Sequence, residues 1–425
     1  MNFSRVCVAA ALATLWCHPV EAQQEPAAPA VHQHGEMPPA AAASNWHLMQ
    51  DGVVYGLFNQ QSGPRGGKEF VVPNWWMGML MRGQDRHQFG LNAMVSLDPA
   101  TTGRDGYREL FQVGESLDGR PLVDRQHPHD LLMQLSASWK IAFGETTSLI
   151  VSGGPAGEPT LGPVAFMHRA SAAGLPLAPL GHHTFDSTHI SFGVVTAAIE
   201  HGRWTIEGSL FNGREPDEHR WDLDLGPMDS VAGRVWFRPA AEWEVQLSTG
   251  LLREPEELVP GDAHRSTASV SWRAAEAGLR AFTAGWGITT AHDTRRQGAF
   301  VEYTREDAAY GLSGRLEIQQ VETGILITQG VPDHHDEEAT STLGALTLGV
   351  ARPLGRWRGF EAALAAQGTT YAVPAALRAT HGRRPVSFQA FLRVRLPSGQ
   401  AGRMWNMRMS AGPSMTDGHA GHTTP

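Results

Sequence analysis

Alternation of apolar and polar residues, repeated in segments of about eight to eleven residues, limits the fold of this chain more than any other feature. Trp243, Val245 and Leu247 alternate with polar neighbours, and the segment from Val386 to Leu396 shows the same pattern. Successive side chains of a β-strand point to opposite faces, so each such strand has one apolar and one polar face. A soluble sandwich buries the apolar face, whereas a membrane barrel turns it to lipid and encloses the polar face.

The first residues resemble a secretory signal and predict export from the cytoplasm. Arg5 precedes a short apolar run over 6–16, and Val20-Glu21-Ala22 fits a small-x-small cleavage site. Both cysteines, Cys7 and Cys17, lie in this segment, so we expect no thiol nucleophile and no thiolate metal site in the mature chain. No later run of apolar residues is long enough for a transmembrane helix. The net charge of −9 argues against a nucleic-acid partner.

Sixteen segments carry the strand pattern, with the usual error of a few residues at their ends. They are 52–60, 70–82, 86–97, 130–143, 146–153, 187–199, 203–212, 230–238, 241–251, 266–274, 278–287, 297–305, 310–321, 342–353, 358–368 and 385–397. Short connections at 200–202, 239–240, 275–277 and 354–357 alternate with long ones at 98–129, 154–186, 213–229, 252–265, 322–341 and 369–384. Short turns on one rim and long loops on the other are typical of outer-membrane barrels.

The predicted fold is therefore all-β, an antiparallel transmembrane β-barrel of about 14–18 strands in a Gram-negative outer membrane. We divide the chain into a signal peptide (1–22), a His/Pro/Ala-rich disordered leader (23–47), the barrel (48–412) and a flexible His-containing tail (413–425). Six tryptophans near predicted strand ends are expected to form aromatic girdles: Trp204, Trp236, Trp243, Trp272, Trp286 and Trp357. Residues 404–409 are a further strand candidate after the closing strand.

Polar residues concentrate in stretches beside the predicted long loops, and two interpretations of them remain open. In the first, imidazoles and carboxylates bind a divalent transition metal such as copper or zinc. The candidate ligands are His127, His129, His168, His182, His183, Asp186 and His189. In the second, the polar residues pair with one another and brace the lumen, because buried polar groups need partners. The candidates for this polar cluster are Asp124, Arg125, His127, His129, Asp130, Arg169, Asn212, Arg214, Glu215, Asp217 and Asp229.

Spacing gives limited help in choosing between these interpretations. His127 and His129 would share a face if they lay on a strand, and Arg125, Arg169 and Arg214 would balance the charge of nearby carboxylates. The acidic and histidine-bearing stretch 332–338 and the two termini are either weak metal-capturing segments or solvated loops. No cofactor is certain from the sequence.

A hydrolase is a further alternative, because Ser187 and His189 would lie on one strand face beside Asp186. A Gly-x-Ser-x-Gly elbow is absent from the sequence, and we therefore do not expect an enzyme.

Three stretches, 121–130, 157–169 and 211–218, resemble a bacterial family of secreted or outer-membrane β-proteins without an established activity. They contain the motifs Asp-Arg-Gln-His-Pro-His-Asp and Phe-Asn-Gly-Arg-Glu-Pro-Asp-Glu, and the resemblance covers about residues 48–400. Genes of this family often neighbour copper and heavy-metal efflux genes. The resemblance implies an outer-membrane location and a connection with metal resistance.

These observations together predict a channel or porin-like outer-membrane protein whose His/Asp/Glu/Arg-rich lumen handles divalent transition metals. The expected partners are outer-membrane lipid and small ions or metal cations. The alternatives are a barrel-embedded lipid or ester hydrolase and a soluble periplasmic all-β metal-binding protein.

Overall fold

The fold was analysed in a computed structural model that describes residues 46–258, 261–274, 278–291, 294–330, 340–398 and 402–407. Its strands are β1 (His47–Gln61), β2 (Gly67–Val71), β3 (Asn74–Gln84), β4 (His87–Val95), β5 (Tyr107–Leu117), β6 (Arg120–Gln126), β7 (Leu132–Ala142), β8 (Thr147–Gly157), β9 (Ser191–His201), β10 (Trp204–Phe211), β11 (Ser230–Ala240), β12 (Trp243–Leu252), β13 (Ala263–Ala274), β14 (Leu279–Ala291), β15 (Thr294–Glu306), β16 (Gly311–Glu322), β17 (Thr340–Trp357), β18 (Phe360–Ala372) and β19 (Val386–Arg395). Four short helices are α1 (Asp98–Thr101), α2 (His182–Phe185), α3 (Thr323–Thr328) and α4 (Arg378–His381).

Sixteen antiparallel strands close into one barrel, as the alternation predicts. Each barrel strand pairs with its neighbour along the chain, and β19 closes the barrel by pairing with β1. The short strand β2 extends the sheet beside β1, and the hairpin of β5 and β6 forms a separate two-stranded sheet. All sixteen predicted segments correspond to barrel strands. Among the described residues, no helix is long and apolar enough to cross a bilayer.

The exterior of the barrel is apolar and its interior is polar, which is the arrangement of a membrane barrel. On β10, Ile206 and Leu210 are exposed while Thr205 and Glu207 are buried. The closing strand β19 shows the same inversion, with an exposed apolar face and a buried face that carries glutamine and arginine. This surface and the closed sheet confirm the prediction of an outer-membrane β-barrel and rule out the alternative of a soluble sandwich.

Several chain segments fold into the barrel rather than away from it. The segment 158–190, which joins β8 to β9, is buried along most of its length and is named the inward segment below. The β5–β6 hairpin and α3 form a separate apolar cluster with Leu110, Phe111, Ile325 and Leu326 at its centre. The long connections therefore supply most of the material that lies inside the barrel.

Three local predictions are wrong. Trp236 is only 2% exposed and faces the lumen, where its indole N–H donates to Glu207, so it belongs to no girdle. Residues 404–407 form no strand, because they turn back and pack against inward-facing side chains. Residues 187–189 form a 3-10 turn and 127–129 follow the end of β6, so neither pair of residues shares a strand face. The predicted signal (1–22), the leader up to residue 45, the tail (413–425) and the stretch 332–338 lie outside the described residues. The leader was expected to extend to residue 47, but β1 already begins at His47.

Candidate ion site in the lumen

A buried charge network attaches the inward segment to the barrel wall. Arg169 is 1% exposed and donates to both carboxylate oxygens of Glu302 at 2.9 and 3.0 Å. The same guanidinium donates to Asp186 at 2.7 Å and to the Val164 carbonyl at 3.0 Å. Burial alone would raise the pKa of Asp186, but the charge of Arg169 and the hydrogen bond and charge of His182 together hold it far below its usual range. The segment is thus attached by charges that are paired and shielded from water.

A second charge group links the inward segment to the wall. Arg234 donates to Glu207 at 2.6 Å and to Glu158 at 3.1 Å, so that two carboxylates share one guanidinium. Burial raises the pKa of Glu158 to about 7. The second oxygen of Glu158, Oε2, is buried and has no hydrogen-bond partner in the described part of the chain. The hydrogen bond from Arg234 to Glu158 is the longer of its two bonds to carboxylates.

Lumen-facing side chains are covered by protein around the circumference of the barrel. Buried wall residues from six strands include Asn59, Gln134, Thr205, Gln246, Thr283 and Glu302. An open, water-filled channel would leave such side chains accessible to water. Along the described residues, the lumen is consequently filled by the inward segment and its neighbours.

Five histidines lie together where the inward segment meets the loop after β6, and we call them the imidazole cluster: His127, His129, His182, His183 and His189. The ring centroids of His182 and His189 are 5.2 Å apart, and those of His129 and His189 are 5.6 Å apart. The prediction named all five, and the structure brings them together from two separate stretches of the chain.

Three of these rings are held by their Nδ1 atoms. His129 Nδ1 lies 2.8 Å from an Asp98 oxygen, and His182 Nδ1 lies 2.7 Å from an Asp186 oxygen. His189 Nδ1 lies 2.8 Å from the carbonyl oxygen of Asp186. A carbonyl and an ionised carboxylate only accept hydrogen bonds, so Nδ1 of each ring carries a proton, and in a neutral ring Nε2 then carries the lone pair.

The Nε2 atoms of these same three rings, His129, His182 and His189, are buried and have no hydrogen-bond partner among the described residues. Burial lowers the pKa of His182, and it lowers that of His189 well below the usual value, so both rings are neutral at neutral pH. Other buried polar atoms of the chain also lack a partner, but these three nitrogens are distinguished by lying on adjacent rings. Imidazoles with Nδ1 bonded to a carboxylate or carbonyl and Nε2 free are typical of metal ligands.

The cluster is wider than a closed coordination sphere. Among the described residues, only Asp217, Asp222 and Asp224 place three potential ligand atoms within 4.8 Å of one another, and these lie on the loop after β10. Because metal–nitrogen bonds are about 2.0–2.1 Å long, imidazole nitrogens that share one ion must lie less than 4.8 Å from one another. An ion between the three rings would therefore draw them inward.

The other two rings of the cluster have acidic partners. His127 Nε2 lies 3.0 Å from Glu115, which also pairs with Arg220. His183 Nδ1 lies 3.3 Å from Glu215. Burial alone would lower the pKa of His183, but its hydrogen bond to Glu215 and the charge of that carboxylate raise it. Only His183 therefore forms a charged pair, because burial and the charge of Arg220 lower the pKa of His127 well below its usual value.

The remaining predicted residues divide between the interior and the rim. Asp124 is buried and bonded to His381, Asp130 pairs with Arg220, and Asn212 is buried beneath the loop after β10. Arg125 binds the carbonyls of Asp105 and Gly106.

Two residues predicted to line the lumen do not do so. Asp217 and Asp229 are exposed on the loop after β10, where Arg214 pairs with Asp229. The loop carries them out of the barrel into solvent. His168 is buried against Trp75, at a ring-centroid distance of 5.0 Å, and is not among the five rings of the cluster.

The hydrolase arrangement is not assembled. Ser187 accepts a hydrogen bond from Arg265 at 3.0 Å, while His189 Nδ1 binds the carbonyl of Asp186 rather than a carboxylate. The Asp186 carboxylate itself is taken by Arg169 and His182. No nucleophile–base–acid chain therefore runs through these three residues.

Sequence reasoning missed the partners that hold the site. Asp98, Glu115, Glu302 and His381 are isolated polar residues in sequence, and each meets its partner from a distant part of the chain. The inward-facing position of Glu302 on an alternating strand is the one available signal. A cavity of about 50 Å³ borders the cluster and is lined by Asp98, His129, Trp75 and Met167, among others.

The barrel is similar to solved outer-membrane proteins. Pseudomonas putida OprB at high pH is 12% identical over 83% of this chain and 94% of that chain, with a TM-score of 0.51. Salmonella typhi OmpF in complex with daunomycin is 9% identical over 82% of this chain and 97% of that chain, also with a TM-score of 0.51. The fold is that of outer-membrane porins. No protein-family model matches the sequence, and no curated protein is significantly similar to it.

Proposed function

We propose that this protein is a porin-like outer-membrane channel that takes up a divalent transition metal ion, such as zinc or copper, in its lumen. The porin fold and the polar interior support the channel. The observation that carries the metal is the set of three buried, unpartnered Nε2 atoms of His129, His182 and His189. Neutral imidazole is the ligand that Zn²⁺, Cu²⁺ and Ni²⁺ share.

The surroundings of the three rings favour a cation over packing alone. The carboxylate of Asp98 fixes the orientation of His129 and that of Asp186 fixes the orientation of His182, which is the role of outer-sphere carboxylates at metal sites. A histidine with a purely structural role is expected to use both ring nitrogens in hydrogen bonds. His127 contacts Gln126 and Glu115 through its two nitrogens, and His381 contacts Thr380 and Asp124. The link with metal resistance that the sequence resemblance implies agrees with this proposal.

Calorimetric titration of Zn²⁺ into the full chain, refolded in detergent, tests the site. The double variant His182→Gln/His189→Gln should weaken the tightest Zn²⁺ binding by at least about 100-fold, because two of three ligands are lost. Asp98→Asn should weaken it by about 10–100-fold through His129. Zn²⁺ is the probe because it has no redox chemistry.

His201→Gln is the matched control, since His201 is exposed beside the turn between β9 and β10 and bonds only Thr147 among described residues. The other histidines of the sequence, including His334, His335, His419 and His422, remain in every variant and give the same background. Equal affinity in the double variant, the control and the wild type would remove the imidazole site from the proposal.

A further inference from the structure

Methionine is concentrated in one place inside the barrel. A single cluster of thirteen packed side chains contains eight methionines, which we call the methionine cluster: Met49, Met77, Met79, Met94, Met133, Met167, Met404 and Met407. The other large cluster also has thirteen side chains and contains no methionine, and the three smaller clusters contain none. Of the five apolar clusters among the described residues, only this one contains methionine.

The barrel wall arranges these thioethers in neighbouring positions. Met77 and Met79 are two residues apart on β3 and both are buried, so they share the inward face. Met77 lies directly opposite Met94 on β4, and Met79 lies directly opposite Met49 on β1. Side chains at directly opposed positions of antiparallel strands have Cβ atoms about 4.5–5.5 Å apart. Four thioethers therefore form one continuous patch on the wall.

Two other parts of the chain complete the cluster. Met167 comes from the inward segment, and Met404 and Met407 come from the segment after the closing strand. That last segment is fixed in place, because Asn406 N donates to the His168 carbonyl at 2.9 Å and Asn406 Oδ1 accepts from Ala170 N at 2.9 Å. Residues distant in sequence thus bring sulfur to the same part of the lumen.

Packing alone does not account for this composition. Leucine and methionine have similar volumes and replace one another in cores at little cost, so a gap-filling role would accept either. This chain fills its other large lumen cluster with leucine, isoleucine, valine and aromatic residues. The chemical property that distinguishes methionine is its soft, uncharged thioether sulfur, which selects Cu(I) among the common metal ions.

We infer that the methionine cluster is a binding site for a soft monovalent metal ion, Cu(I) or Ag(I), held by thioether sulfurs of the β1, β3 and β4 wall. A singly charged ion suits ligands that carry no charge, because burying it among them is less unfavourable than burying a divalent ion. This site is separate from the imidazole cluster and does not depend on it. The cavity of about 50 Å³ borders both, since Met167 and His129 line it.

Silver binding to the full chain in detergent and chloride-free nitrate buffer tests this inference, with Ag(I) as the redox-stable probe. The triple variant Met77→Leu/Met79→Leu/Met94→Leu keeps the packed volume and removes three sulfurs. It should weaken the tightest Ag(I) binding at least tenfold and leave Zn²⁺ binding unchanged. Met228→Leu is the control, because Met228 is exposed on the loop after β10.

The imidazole variant His182→Gln/His189→Gln separates the two proposals. It should weaken Zn²⁺ binding by at least about 100-fold and leave Ag(I) binding unchanged. A negative result at one site therefore does not affect the test of the other site. X-ray absorption at the silver edge on the wild type guards against a triple variant that fails to fold, and sulfur neighbours are expected around the ion. Wild-type Ag(I) affinity in a folded triple variant, or only nitrogen and oxygen neighbours around silver, would overturn the inference.

Discussion

The attachment of the inward segment through Arg169 yields the most direct test of the filled lumen. Arg169→Met keeps most of the side-chain volume and removes the guanidinium, with its four hydrogen bonds to Glu302, Asp186 and the Val164 carbonyl. Loss of one partner from a buried ion pair destabilises a protein by about 3–5 kcal/mol.

The expected loss lies near the lower end of that range, because both carboxylates keep other donors. Glu302 still accepts from Arg315 at 2.8 Å and from Ser171 at 3.1 Å, while Asp186 keeps His182 at 2.7 Å and the amide of Phe166 at 2.9 Å. We therefore expect about 3 kcal/mol from urea unfolding in phospholipid vesicles, followed by tryptophan fluorescence.

Two comparisons make this result decisive. Arg214→Met removes a partly exposed ion pair with Asp229 and should change the unfolding free energy by less than about 1 kcal/mol. A double-mutant cycle of Arg169→Met with Glu302→Gln should give a coupling above about 1 kcal/mol, since the two groups are in direct contact. If Arg169→Met is no more destabilising than Arg214→Met, the segment is not held in the lumen as described.

The same variant should raise ion conductance in planar bilayers, because a loosened inward segment uncovers the polar wall. Two further predictions concern Glu158 of the inward segment and the outer face of the wall. Burial raises the pKa of Glu158 from 4.5 to about 7, so this group should contribute a loss of up to about 3 kcal/mol of stability as pH rises through that interval. Glu158→Gln, compared with the wild type by urea unfolding at pH 4 and pH 8, should remove that contribution, while the pKa of Asp130, which burial also raises to about 7, leaves a residual loss. Leu316 is exposed at the middle of β16, and Leu316→Arg should cost about 2–4 kcal/mol in a bilayer if that face contacts lipid; a neutral effect in vesicles would argue against it.

The barrel was predictable because its information is local. Alternation and turn residues lie within each pair of strands, so all sixteen barrel strands appear in the sequence pattern with only their ends shifted. The hairpin of β5 and β6 was missed, since its pairing is interrupted twice and Phe111, Glu115 and Asp124 have positive φ angles. These irregularities break the alternation on which the prediction depends.

The site was predictable in its residue types but not in its contacts. The five histidines stand in two recognisable stretches, yet Asp98 and Glu302 reach their partners across 31 and 133 residues of chain. Contacts between residues so far apart in the sequence cannot be recognised from local residue spacing. Trp236 was misassigned for a related reason, because a tryptophan near a strand end fits a girdle equally well until its face of the strand is known.

The charges of the lumen are arranged so that the inward segment can leave without stranding an ion on the wall. Glu302 and Arg315 are directly opposed on β15 and β16, and Glu207 and Arg234 are directly opposed on β10 and β11, so the wall pairs its own charges. The segment itself carries Glu158, Arg169 and Asp186, of which Arg169 and Asp186 pair with each other. Withdrawal of the inward segment would therefore expose paired groups to water and leave no unpaired charge buried in the wall. The free-energy cost of such an unpaired charge would otherwise oppose opening of the lumen. An unchanged conductance in Arg169→Met, with the barrel intact, would show that other contacts of the segment keep it closed.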